Sequence, residues 1–160
     1  MGMQLQALCF KIYDIEGESF LKYLVGSSLA AVLSVFTFSI YHLISFGSFI
    51  NFSTFYIFTA TVLMFAYIGG LIGFLYLYLQ KNKSHLTNKN FLVFLAIGLV
   101  LGIVLEWVVA DGHYIGFLMA SIVGSLTFLF ANGIESLIIR LIIIPLPFIV
   151  VFGFPLFDKF

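Results

Sequence analysis

Four residues from three places in the chain carry side chains that could do chemistry together: His42, Glu106, Asp111 and His113. Two imidazoles and two carboxylates could bind a divalent metal, relay a proton or contact a cationic partner. Glu106 and His113 are seven residues apart, so a helix continuing between them would present both on one face. The plainer reading is a helix end whose polar residues lie in the headgroup layer, with Asp111-Gly112 as turn chemistry. No His-Glu-x-x-His motif supports zinc hydrolysis, and no spacing names a metal.

A second polar group, Asn132, Glu135 and Arg140, precedes a segment interrupted by Pro145 and Pro147. A half-helix ending near Pro145 would turn backbone carbonyls toward an ion, as broken helices do in transporters. The structural alternative has Arg140 reaching out to the headgroups from one turn inside. Glu135 and Arg140 are five apart, a poor spacing for a helical ion pair. Gly-Ser pairs at 26–27, 47–48 and 124–125 do not form a Gly-x-Ser-x-Gly elbow. Phosphate loops and dinucleotide fingerprints are absent from the sequence. Cys9 stands alone, so it has no internal disulfide partner and no Cys-x-x-Cys knuckle. No motif names a reaction, and no cofactor is expected.

The elements that must position these residues are membrane helices. The chain has 160 residues, 62% hydrophobic and 9% charged. Soluble domains are about 45–50% apolar and about 25% charged, and a chain of this length could not hide so much apolar surface from water. Long uninterrupted apolar runs exclude barrel strands, which alternate over ~10 residues. Net charge is zero, so electrostatics offers nothing to nucleic acid.

A leader over 1–22 is expected as a surface-lying amphipathic helix or as a plain helical or loose segment. It does not read as a signal peptide. The spans are expected at about 23–46, 55–79, 91–110 and 115–131, against the ~20 residues a crossing helix needs. Residues 137–157 form a proline-broken fifth span or a re-entrant segment. The fold class is therefore all-α: a polytopic integral membrane helical bundle, one membrane domain over 1–160. Lys11, Lys22, Lys81, Lys83, Lys89 and Arg140 all fall on one side of this plan. The positive-inside rule puts the N-terminus and the 80–90 loop in the cytoplasm, at a bacterial inner membrane.

Small residues recur every four positions. Gly69 and Gly73 mirror Gly98 and Gly102 about the 80–90 loop, which predicts a contact of Gly73 with Gly98 and of Gly69 with Gly102. Gly26, Ala30 and Ser34 form one further stripe, and Gly116, Ala120 and Gly124 another. Such faces serve helix packing. In size and span count the chain resembles the small polytopic immunity proteins that protect bacteria against pore-forming toxins. That resemblance implies a non-enzymatic protein that binds a membrane partner, as an accessory subunit would. The competing function is a small transporter or channel subunit, working as a homo-oligomer.

Overall fold

The computed structural model describes residues 2–47, 52–80, 87–109 and 115–157, with side-chain environments for 18–47, 55–80, 87–109 and 115–151. The described residues fold into α1 (Gly2–Phe46), α2 (Phe52–Leu79), α3 (Asn88–Val109), α4 (Ile115–Ala131), α5 (Leu137–Ile143) and α6 (Leu146–Phe157), with no strand among them. Three segments are long and apolar enough to cross a membrane: Glu18–Phe46, Phe55–Leu79 and Asn88–Val109. The apolar helices Ile115–Ala131 and Leu137–Val151 are shorter.

The leader is not a separate surface helix. It is the start of α1, which runs through 45 residues, ~68 Å at ~1.5 Å per residue. The physical reason lies in the sequence between leader and span, which contains no proline. Its one break signal, Gly17, costs only ~1 kcal/mol in a helix. α1 stops at Gly47, whose φ of 67° is the left-handed cap conformation, with its N–H donated to the Leu43 carbonyl at 2.9 Å.

α4 is the packing centre. It lies along both α1 and α3 over most of its length and touches α2 more lightly. Its buried residues include Gly116, Phe117, Ala120, Gly124, Phe128 and Leu129, which span more than one face. α2 and α3, neighbours in sequence across a short loop, meet only sparsely. One core cluster joins Val35, Phe38, Phe58, Leu105 and Phe117, where α1 and α3 end and α2 and α4 begin. A second joins Ala30, Phe94, Phe128 and Leu129. A third joins Val25, Ala131 and Ile143 at the end where α4 turns into α5.

The proline-broken segment advances in one direction beside α1. Ile143 packs with Val25, the Ser28 hydroxyl donates to the Ile144 carbonyl at 3.3 Å, and Val150 packs on the cluster holding Val35. Ile144 keeps helical dihedrals and donates to the Arg140 carbonyl, so the prolines interrupt hydrogen bonding without reversing the chain. A re-entrant hairpin would require that reversal, and the described residues do not make it.

Candidate functional site

Glu106 and Arg140 are the two charged side chains buried among the described residues. They stand at opposite ends of α4. Glu106 follows Gly98 and Gly102 on the face of α3 that lies against α4, one turn further on. Its Oε1 accepts a hydrogen bond from the Leu118 N–H in the first turn of α4, at 3.3 Å. A carboxylate there complements the positive end of the α4 dipole. Arg140 reaches back to the other end. Its Nε donates to the Ile134 carbonyl at 2.7 Å, just past the C-terminus of α4. Asn132 serves the same end, with its backbone N–H and its Nδ2 both donating to the Phe128 carbonyl, the latter at 2.7 Å. Gly133 and Ile134 donate to the Phe130 and Ala131 carbonyls. The Phe128, Phe130 and Ala131 carbonyls, three of the last four of α4, are thus satisfied within the protein.

The inner polar group is regrouped by the fold. Asn132 and Arg140 share the end of α4, but Glu135 is exposed on the turn. The acid beside Arg140 is Glu18 of α1, whose Oε1 lies 3.9 Å from Nη1 of Arg140 and 2.9 Å from Nζ of Lys22. Arg140 is 5% exposed: its stem packs in the bundle, and its guanidinium comes out beside the exposed Glu18 at this end. Lys22 sits one helical turn from Glu18, a signal readable in the sequence. The approach of Arg140 is not readable there.

In the outer group, Asp111 and His113 lie outside the described residues. His42 is half-buried, with its ring centroid 4.8 Å from that of Phe46 and 6.4 Å from that of Phe38. Glu106 is turned into the α3–α4 seam. Among the described residues, no three His, Cys, Asp or Glu side chains come together as a metal site.

The mirrored glycine contact is overturned. A Cβ on Gly98 would stand 2.8 Å from the Ile122 Cα and 2.9 Å from the Ser121 carbonyl, both on α4. One on Gly102 would stand 2.8 Å from the Leu118 Cα. The α3 pair therefore faces α4. On α2, a Cβ on Gly69 would meet Leu101 Cδ1 at 2.7 Å, and one on Gly73 the Phe94 ring at 2.6 Å. Bulky α3 side chains fill the places opposite the α2 glycines, which keeps the two backbones apart.

The two remaining stripes meet each other. Gly26 faces Phe128, Gly124 lies against Ser34 and Ala30, Ser34 reaches Ala120, and Gly116 lies against Tyr41 and Phe38, so the two helices run antiparallel along this seam. The Ser34 hydroxyl donates to the Ala120 carbonyl at 2.8 Å across this seam. Phe128 fills a socket of glycines: added Cβ atoms would lie 2.7 Å from its ring at Gly26, 3.1 Å at Gly70 and 3.3 Å at Gly73. Its ring stacks on Phe94 at 5.9 Å. Nothing in the sequence marks Phe128 among 21 phenylalanines.

The α2–α3 hairpin is tied by polar groups instead. Thr87 Oγ1 accepts from the Asn90 N–H at 3.3 Å, an N-cap for α3. Tyr76 donates to Asn90 Oδ1 at 3.2 Å, and Gln80 Nε2 donates to the Tyr76 hydroxyl at 2.6 Å. Thr87, an N-cap residue type just before the apolar run that begins at Phe91, was the available sequence signal. Deeper in, where the hairpin arms diverge, α1–α4 enclose a cavity of about 50 Å³ bordered by Ser34, Gly69, Gly70, Leu101, Ser121 and Ser125.

These features define a class: an all-helical protein with three apolar helices long enough to cross a bilayer and, among the described residues, buried charge at the two ends of a central helix. The chain matches no protein-family model, no curated protein and no solved structure.

Proposed function

We propose that this chain is a non-enzymatic integral membrane protein that binds a membrane partner through its helices, as an accessory subunit or as an immunity-type protein against a membrane-active toxin. The observation that carries this reading is the placement of buried charge. Between Glu106 and Arg140 the described core is mostly Phe, Val, Leu, Ala and Gly and holds no charged side chain; of its buried hydroxyls, Ser28, Ser34, Thr59 and Thr127 donate to backbone carbonyls and Ser27 makes no hydrogen bond among the described residues. An ion path through one copy would call for ionisable groups along that length. The interior is a packing device, which leaves work to the outer surface.

The surface of choice is α2. It packs on α1 along one side, and its other side presents Ile57, Met64, Ile68, Leu71, Ile72 and Leu75. In this reading α1, α2, α3 and α4 cross a bacterial inner membrane, and α5–α6 crosses as a kinked fifth helix. The N-terminus and the 80–90 loop face the cytoplasm. A photoreactive residue in place of Leu71 or Leu75, in membranes of the native host, should give a discrete adduct with one membrane protein. The same residue in place of Ile138 on α5 should give lipid adducts only. Lipid adducts alone from both α2 positions, with ion flux from the reconstituted chain, would overturn the reading in favour of transport.

A further inference from the structure

Arg140 is 5% exposed, yet its described contacts occupy little of its donor capacity. A guanidinium carries five N–H donors in a planar fork. Nε serves the Ile134 carbonyl, while Nη1 lies 3.9 Å from Glu18, beyond hydrogen-bond length. The four N–H groups on Nη1 and Nη2 make no hydrogen bond among the described residues. The side chain keeps 6% of its surface open. Lys22 approaches the same Glu18 oxygen at 2.9 Å. Two cations therefore flank one carboxylate, and the group carries net positive charge.

A fork with open donors beside an ammonium matches the oxygens of a phosphate: the fork binds two in a plane, and the lysine adds a point charge. We infer that Lys22 and Arg140 form a binding site for the phosphate of an anionic ligand at the bilayer surface, with an anionic phospholipid headgroup as its source. Glu18 holds the two cations together and competes with the phosphate for them. The inference rests on this end of the bundle lying at a bilayer surface and is independent of any protein partner.

The test uses the full chain in neutral detergent, with phosphatidylglycerol, phosphatidylcholine and inorganic phosphate as probes. Lipid retention is read by native mass spectrometry. Phosphatidylglycerol should be retained over phosphatidylcholine. Lys22→Gln, at a partly exposed position, should weaken that retention about five-fold, the contribution expected of one basic residue at a membrane surface. Arg140→Lys keeps the charge, loses the fork and should weaken it as well. Glu18→Gln should strengthen retention although it removes an ion pair, a sign that a purely structural triad would not give. Displacement of the lipid by inorganic phosphate would assign the site to soluble phosphates also, and failure to displace would assign it to lipid. Equal retention of the two lipids, or retention unchanged in both Lys22→Gln and Glu18→Gln, would overturn the inference.

Discussion

Gly69 and Gly102 hold mirrored places about the 80–90 loop, and the sequence treats them alike. Their neighbours differ in kind. Gly69 faces one methyl of the half-buried Leu101, which can rotate aside, whereas Gly102 faces the backbone of α4 at Leu118. Gly69→Ala should therefore be close to neutral, with any packing cost offset by the ~1 kcal/mol that alanine gains over glycine in a helix. Gly102→Ala and Gly98→Ala should cost about 1–3 kcal/mol each, because helices rather than side chains must move. Thermal unfolding in detergent measures the difference, and equal losses at Gly69 and Gly102 would refute it. That small residues recur every four positions was legible. What each one meets was not, because spacing within a helix says nothing about the identity of the facing helix. Phe128 shows the same limit: its glycine socket is drawn from residues of α1 and α2 far from it in sequence.

At the scale of elements, α4 is the shortest of the first four helices and the one most surrounded. Its ends carry the charges buried among the described residues, an acid at the positive end and a base at the negative end, which favours one orientation of the helix. Glu106→Gln keeps an acceptor oxygen for the Leu118 N–H and removes only the charge. It should cost about 1 kcal/mol. Glu106→Ala loses the acceptor too and should cost about 1–3 kcal/mol beyond that. Chemical or thermal unfolding of the pair separates the two contributions: no loss in Glu106→Gln would mean that the charge contributes nothing, and identical losses would mean that the acceptor contributes nothing. The extents of the helices were largely legible, since apolar runs and polar loops mark them: 115–131 was expected, and Ile115–Ala131 is observed. The union of leader and span was not, because Gly17 reads as a break in a list of propensities and costs too little to be one in a long helix. The polar ends were half legible. Glu106 and Arg140 stood out as charges in apolar surroundings, but their common relation to α4 required the fold. Glu18 pairs with Arg140 across most of the chain length, beyond any local pattern.

For the whole molecule, the hairpin around the lysine loop is an edge and α4 is the centre. That arrangement has a physical basis. The α2 glycines receive Leu101 and Phe94 as knobs, so the hairpin arms stand apart over a cavity. The α1 and α3 stripes meet α4 through small residues and bring backbones close. The most direct test of this arrangement is a disulfide across the α1–α4 seam, in a chain with Cys9→Ser. Ser34→Cys combined with Ala120→Cys should crosslink nearly completely under mild oxidation in membranes, since the Ser34 hydroxyl and the Ala120 carbonyl are 2.8 Å apart. Ala30→Cys with Ala120→Cys, one turn out of register, should crosslink slowly. A folded protein in which the first pair stays reduced, or in which the second pair reacts as fast, would contradict the placement of α4 at the centre.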